Sequence, residues 1–362
     1  MKLGAHIYLW TERWSDAETG LFDRARGLGL DTLELALGLD VKFSPALTRR
    51  AAESAGMSLL VGPGGEWPAG ADLSDDDSAN RRAALEFHTG IINQAAELGA
   101  LAYAGALYGR PGKVLRRRPP EDELPRAAEG LHALAEHAQR AGVKLVLEPM
   151  SRFRSHVVNT PAQALQLLTL SAHPNLFILL DTYHLVTEIR DYAAAIRAVG
   201  DRLWGLHACE NDRGVPGGGL LPWPEIFAAL KTTKAEYVGF EGYNTGLGDF
   251  GWRRGMFQNV CPDGDAFVRE AVAFTRRFCR AGSLGRPVSG YRRHSACIRF
   301  GAGRMAALRR LIRLVRDCRL VAGFALVEFE PCVNSSSRRP LCLPSRSVRF
   351  VPRLTRSSSI RR

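Results

Sequence analysis

Cysteine and long apolar runs are scarce in this sequence. Seven of the 362 residues are cysteine, and the three in the first 280 residues, Cys209, Cys261 and Cys279, form no C-x-x-C pair. This spacing argues against a disulfide framework and against a zinc knuckle. No window approaches the roughly 20 apolar residues of a membrane span, and residues 1–16 contain polar breaks too early for a signal peptide. We therefore expect a protein of the reducing cytoplasm with no membrane partner.

Lysine is absent from residues 281–362, and acidic residues are nearly absent there. This segment holds 18 of the 49 basic side chains and three of the 37 acidic ones, a net charge of +15 within a total of +12. Residues 1–280 are left with −3, so the overall basicity gives no reason to expect nucleic acid as their partner. The change in composition predicts a catalytic domain over 1–282 and an atypical basic tail over 283–362.

Two interpretations of the tail stay open. Residues 304–319 set apolar side chains opposite arginines, a pattern typical of a basic amphipathic helix that binds a membrane surface or nucleic acid. Enrichment in arginine and in serine, with eleven serines and no lysine, is also what out-of-frame translation of a GC-rich gene produces. In that case the tail is disordered or non-native.

Short apolar runs alternate with helical patterns along residues 1–280. The eight runs cover 3–8, 32–37, 58–62, 101–107, 144–149, 176–181, 203–207 and 237–241. Runs that are apolar on both sides and end in polar or glycine-rich turns are typical of buried parallel strands. Eight strands with about as many helices predict an α/β fold, a (β/α)8 TIM barrel. A doubly wound sheet would give a similar alternation.

Four polar residues fall where the last four predicted strands end. Glu148, Asp181, His207 and Glu241 are each separated from the next by about one strand–helix unit. In a barrel these ends meet at one mouth. Three carboxylates and one imidazole suit Mn²⁺, Mg²⁺ or Co²⁺ better than a structural zinc site. The alternatives are capped turns or surface acids for the carboxylates, and a core position for His207.

Two further residues are candidates for contact with a substrate. Arg213 lies in a glycine-rich loop after the seventh run, where a guanidinium can stabilise developing negative charge. The alternative is a structural ion pair with Asp212 or Glu210. His184, three residues beyond Asp181, is placed to reach the same pocket as a neutral donor, unless its role is structural.

Several segments together resemble the ketose 3-epimerases, which comprise D-tagatose and D-psicose (allulose) 3-epimerases. The segments are LVLEP at 145–149, LLDTYH at 179–184, the run from HACENDRG to W223, FEGY at 240–243, and ADLSDDDSANRRAAL at 71–85. The family belongs to the wider sugar phosphate isomerase/epimerase barrels. The resemblance covers about residues 2–280.

The resemblance implies one divalent cation, usually Mn²⁺, on the residues matching Glu148, Asp181, His207 and Glu241. In the family the ketose chelates the metal through O2 and O3. One glutamate removes the C3 proton, and the other returns a proton from the opposite face after a cis-enediolate forms. This makes Glu148 and Glu241 the expected catalytic pair, and His184 and Arg213 the expected substrate contacts. It also implies a small sugar substrate and a homodimer or homotetramer.

One position departs from the family pattern. Where the family usually reads Asn-Arg-Phe-Glu after the first metal glutamate, this chain reads Ser-Arg-Phe-Arg and ends on Arg154. The last residue of that segment contacts substrate hydroxyls in the family. A guanidinium there favours a phosphorylated or carboxylated ketose, unless Arg154 turns outward to pair with surface acids.

Three other functions compete with a ketose 3-epimerase. An aldose–ketose isomerase on the same barrel would use the same metal and glutamates but would move a proton between C1 and C2. A nuclease of the same superfamily would need a multi-zinc site with more histidines at strand ends. A protein that binds nucleic acid or a membrane surface through the tail would show salt-sensitive binding.

Overall fold

The last strand pairs with the first, which closes the sheet. The computed structural model describes residues 1–279, and within them parallel strands β1 to β8 pair in chain order around a barrel. In order, the strands are Lys2–His6, Thr32–Ala36, Ser58–Gly62, Ala102–Gly105, Lys144–Leu147, Leu176–Asp181, Leu203–His207 and Tyr237–Phe240. The predicted (β/α)8 TIM barrel is confirmed. The doubly wound alternative is wrong, because a doubly wound sheet is open at both edges.

Helices join the strands on the outside of the barrel. Over the described residues, α1 to α10 are Leu21–Gly27, Pro45–Ser54, Ser78–Leu98, Glu123–Arg140, Pro161–Ser171, Thr182–Leu185, Tyr192–Val199, Trp223–Leu230, Phe250–Arg253 and Gly264–Cys279. Asp77 caps α3 by accepting the amide of Ala79. Thr160 and Gln163 form a capping box at the start of α5, which fixes the end of the loop that follows β5.

Three apolar runs, 3–8, 101–107 and 144–149, leave the sheet two residues earlier than their patterns predict, and the first of them shapes the mouth. The run 3–8 ends as a strand at His6, where the Nδ1 atom of His6 accepts the amide of Tyr8 at 3.3 Å. The chain then turns through the 3-10 helix Ile7–Leu9. This turn places the rings of His6 and Tyr8 in a stack at the mouth, with their centroids 3.9 Å apart.

Tyr237 and Trp204 pack together in the barrel interior below the strand ends, within an apolar cluster that side chains of other strands complete. Tyr237 is buried at the start of β8, where its ring stacks on Trp204. A Cβ atom added to Gly4 or Gly239 would lie 2.5–2.6 Å from the Tyr237 hydroxyl oxygen, and one on Gly205 would lie 3.1 Å from the Tyr237 Cβ. These three glycines on β1, β7 and β8 therefore make the room that the ring occupies, since atoms in a packed interior cannot approach so closely.

No helix among residues 1–279 is long and apolar enough to cross a lipid bilayer. The predicted tail, 283–362, lies outside the described residues, and so do the amphipathic pattern of 304–319 and the proposed boundary at residue 282.

Candidate metal centre

The four polar residues at the last strand ends come together at one point of the mouth. Glu148 directly follows β5, Asp181 and His207 end β6 and β7, and Glu241 directly follows β8. All four are buried, and one ligand atom from each lies within 4.8 Å of the others. The alternative of surface acids is therefore wrong for this set. The alternative of a capped turn holds in part for Asp181, whose carboxylate also caps α6 by accepting the amide of Tyr183.

His207 presents an unpaired ring nitrogen to the three carboxylates. Its Nδ1 atom lies 3.1 Å from Glu241, 3.7 Å from Glu148 and 3.8 Å from Asp181, while its Nε2 atom lies 3.0 Å from a Glu34 oxygen. When Nε2–H donates to Glu34, the neutral imidazole has its lone pair on Nδ1, as a metal ligand requires. Neither Nδ1 of His207 nor Oε1 of Glu148 has a hydrogen-bond partner within residues 1–279. A lone pair directed at carboxylates needs a cation between them, so these residues fit a divalent metal ion.

Glu34, which was not predicted as a site residue, orients the imidazole. It is the only charged residue of the apolar run 32–37, points into the barrel from β2, and is buried. Its carboxylate also accepts from the Tyr237 hydroxyl, at 3.4 Å. A single carboxylate inside an otherwise apolar strand is the signal that would have identified it, because such a group needs a partner.

Glu34→Gln is expected to weaken metal binding by about 10- to 100-fold, the usual effect of removing the acceptor behind a ligand histidine. The amide can turn its NH₂ group toward Nε2, which would favour the wrong tautomer of His207. Calorimetric titration of the metal-free protein with Mn²⁺ measures the change. Glu53→Gln on an exposed face of α2 is the matched control, and equal affinities in the two variants would contradict the role given to Glu34.

Burial and neighbouring charges separate the two glutamates of the site. Burial raises the pKa of Glu148 to about 7, and Asp181 and Glu241 add to the rise against the opposing effect of His207. Burial also acts to raise the pKa of Glu241, but Arg213 and His207 outweigh it and hold that pKa well below its usual range. The Tyr243 hydroxyl donates to Glu241 at 2.6 Å. One carboxyl is thus suited to carry a proton near neutral pH, and the other to stay ionised.

Arg213 is buried between two of the ligand carboxylates. Its guanidinium pairs with Asp181 and with Glu241, the latter at 2.7 Å, and lies over the Tyr183 ring. The sequence-based alternative of a pair with Asp212 or Glu210 is wrong. The Glu210 carboxylate instead accepts from Gly217 N–H and from Trp223 Nε1–H, and Asp212 accepts from Gly214 N–H, so both shape the loop that carries Arg213.

Three more side chains extend the site into the open cavity at the mouth of the barrel. His184 on α6 is buried, and burial lowers its pKa to about 4, which keeps the ring neutral at pH 7. Its Nδ1 atom has no hydrogen-bond partner in the described part of the chain. Arg154 lines the same cavity, so the alternative in which it turns outward is wrong. Arg254, which was not predicted, lies there as well.

A closed (β/α)8 barrel with carboxylates and an imidazole at its carboxyl-terminal mouth defines a class of metal-dependent barrel proteins. The family model for the xylose isomerase-like TIM barrel matches residues 22–277, and the chain belongs to this family. Within it the similarity is to epimerases. The D-psicose 3-epimerase of Agrobacterium fabrum is 30% identical over 64% of this chain and 81% of its own length.

Two other proteins give the same result. The L-ribulose 3-epimerase of Mesorhizobium japonicum is 28% identical over 75% of this chain and 92% of its own length. The structure of D-psicose 3-epimerase with D-tagatose from Clostridium cellulolyticum H10 superposes with a TM-score of 0.71 at 26% identity, over 77% of this chain and 99% of that one. The predicted resemblance to ketose 3-epimerases is confirmed, and the protein is an isomerase similar to these carbohydrate epimerases.

Proposed function

We propose that the protein inverts C3 of a ketose or ketose derivative by means of two glutamates. The observation that carries the proposal is the pair Glu148 and Glu241, two buried carboxyls that meet at one point of the mouth together with Asp181 and His207. The two residues follow β5 and β8, which lie three strands apart around the barrel. Carboxyls that reach a substrate from different sides can remove a proton from one face and return one to the other. The relatives named for D-psicose and L-ribulose support a ketose as the substrate.

Glu148, Asp181, His207 and Glu241 would hold one divalent cation, which we propose to be Mn²⁺, with Co²⁺ or Mg²⁺ as alternatives. A cation at this place polarises the substrate carbonyl and makes the neighbouring C–H bond more acidic. The protein's own contribution is to fix the ligands: Glu34 orients His207, while Tyr243 and Arg213 hold Glu241.

In the proposed reaction one glutamate accepts the C3 proton and leaves an enediolate, and the other delivers a proton to the opposite face. Which glutamate acts first depends on which epimer is bound. The neutral ring of His184 and the guanidinium of Arg213 donate hydrogen bonds to the oxygens on which negative charge accumulates. Arg213 is held in place for this by its carboxylate partners, so little reorganisation is needed as that charge forms.

Incubation of the Mn²⁺-loaded full-length protein with a panel of ketoses in D₂O tests the proposal by NMR. A two-base mechanism predicts that the product carries deuterium at C3 from the first turnovers while the remaining substrate keeps its hydrogen. The glutamate that delivers the deuteron to the product is not the glutamate that removed the C3 proton from the substrate. Exchange at C1 or C2 would instead support the aldose–ketose isomerase. The absence of C3 exchange with every ketose would refute the epimerase proposal.

The nuclease alternative has little support in the site. Within residues 1–279, one group of at least three ligand-type side chains is close enough to hold a metal ion. His6, at the end of β1, also lines the cavity but stacks on Tyr8 outside that group. A cytoplasmic location, a homodimer or homotetramer, and the absence of a nucleic-acid partner for the barrel stay predictions.

A further inference from the structure

Two guanidiniums at the mouth have no carboxylate partner in the described part of the chain. Arg154 lies in the loop after β5, and Arg254 directly follows α9 in the loop after β8. Both line the cavity above the metal centre. They differ in this from Arg213, which forms ion pairs with Asp181 and Glu241. They also differ from the exposed Arg152, which pairs with Glu188 at 2.9 Å.

Both positions are fixed by contacts that leave the positive charge unmatched. The guanidinium of Arg254 donates to the Gly64 carbonyl oxygen and stacks over the Phe250 ring at 4.7 Å. The backbone of Arg154 is held at both ends, because its N–H donates to Ser151 and its carbonyl accepts from Gly112. Neither a carbonyl dipole nor an aromatic face cancels a formal charge, so each arginine stays a cation.

The two cations lie near enough to repel each other. Burial lowers the pKa of Arg154, and the charge of Arg254 lowers it further. Deeper in the mouth a dication and Arg213 would supply three positive charges against the four carboxylates of Glu34, Glu148, Asp181 and Glu241, which leaves one negative charge against the two outer guanidiniums. The outer part of the cavity therefore carries an excess of positive charge in a partly buried place, where charges are weakly screened.

We propose that Arg154 and Arg254 together bind a terminal phosphate or carboxylate of the substrate, so that the protein acts on an anionic ketose derivative. The inference rests on the proposed function, since it places the reacting carbon at the metal centre and the anionic end at the outer arginines. A guanidinium binds a phosphate or carboxylate through two parallel hydrogen bonds. Two guanidiniums on opposite loops would hold such a group between them.

Binding of polyols that cannot react tests the inference without catalysis. D-Sorbitol 6-phosphate, D-gluconate and D-sorbitol are titrated calorimetrically into the Mn²⁺-loaded full-length protein. At least one of the two anions is expected to bind about tenfold or more tightly than D-sorbitol, and the better one identifies the charged group. Arg154→Gln and Arg254→Gln are each expected to reduce this preference about tenfold. Arg154→Lys should keep part of it, which separates loss of charge from loss of folding.

The same variants are then compared in C3 exchange with D-fructose and D-fructose 6-phosphate, or with a ketose carboxylate if D-gluconate binds better. The ratio of kcat/KM for the anionic over the free ketose should fall in both glutamine variants, mainly through KM. Arg152→Gln, two residues from Arg154 but paired outside the cavity, is the matched control and should leave the ratio unchanged.

Failure of the inference and failure of the proposed function give different results. If C3 exchange occurs but the free ketose reacts as well as the anionic one, the anion site is refuted while the epimerase stands. If the anionic polyol binds through both arginines but no ketose exchanges at C3, the anion site stands and the proposed reaction is refuted. Equal binding of all three polyols would refute the anion site directly.

Discussion

Inversion at C3 is expected to fall about 10³-fold in Glu148→Gln and likewise in Glu241→Gln, within the range that a general acid or base contributes. Glutamine keeps the shape of the side chain but has no carboxylate to accept or deliver the proton. Each variant retains one of the two bases, which can remove the C3 proton from one face only. We therefore expect each variant to exchange the C3 proton of one epimer with solvent without inverting it, and the epimer to differ between the two variants. NMR of both epimers in D₂O measures inversion and washout together.

Two comparisons make this result specific. Glu225→Gln, the same exchange at an exposed position on α8, should leave inversion unchanged. Because both glutamates are also candidate ligands, metal content is measured for each variant, and the rates are compared with Mn²⁺ in excess. Either variant retaining a tenth of the inversion rate at full metal occupancy would show that two-glutamate proton transfer is not the mechanism.

Removal of the metal is expected to destabilise the barrel as well as to stop turnover. A cation at 100 times its Kd stabilises the protein that binds it by about 2.7 kcal/mol. For a protein of this size that corresponds to a fall in Tm of roughly 4–5 °C when the metal is removed. Differential scanning calorimetry before and after treatment with a chelator, and again after Mn²⁺ is restored, measures the shift.

The metal-dependent part of Tm should grow as pH rises. In the metal-free protein the pKa of Glu148 is raised to about 7, so its proton stabilises the folded state at low pH, and that contribution is lost as pH rises through 7. A cation competes with this proton for the same carboxylate. The difference in Tm with and without Mn²⁺ is therefore expected to be larger at pH 8 than at pH 5. A Tm that does not respond to chelator or Mn²⁺ at either pH would contradict the metal site.

The positions of the metal ligands could be predicted from the sequence because, in a barrel, a ligand is marked by its place at the end of a strand, which the local pattern shows. Asp181 and His207 each end an apolar run, and the closed barrel brings the ends of all runs to one mouth whatever the loops do. Their convergence with Glu148 and Glu241 needs only the strand count and the spacing. The ion-pair partners of Arg213 could not be predicted in this way, because they depend on the path of a glycine-rich loop. That path is fixed by the hydrogen bonds that Glu210 accepts from other residues of the loop.

In the outer part of the site, too, the positions of side chains depend on loop paths that the sequence pattern does not predict. Arg254 reaches the cavity only because the loop after β8 returns past Gly64, a contact between residues 190 positions apart. Nothing in the local pattern around Arg254 marks it as different from Arg253, which is exposed. Tyr243 lies in the FEGY segment at 240–243, but its hydrogen bond to Glu241 depends on how the chain turns after β8. Contacts of this kind are set by tertiary packing and not by periodicity.

The packing around Tyr237 has a consequence for how related sequences can diverge. Tyr237 occupies the space left by Gly4, Gly205 and Gly239, and its hydroxyl reaches the carboxylate that orients His207. A larger residue at Gly4 or Gly239 requires a smaller one at 237, and that exchange would also remove a donor to Glu34. Positions 4, 205, 237 and 239 are therefore expected to covary among homologues. A substitution in this layer of the barrel would then be accompanied by a change in the hydrogen bonds of Glu34, the residue that orients the metal ligand His207.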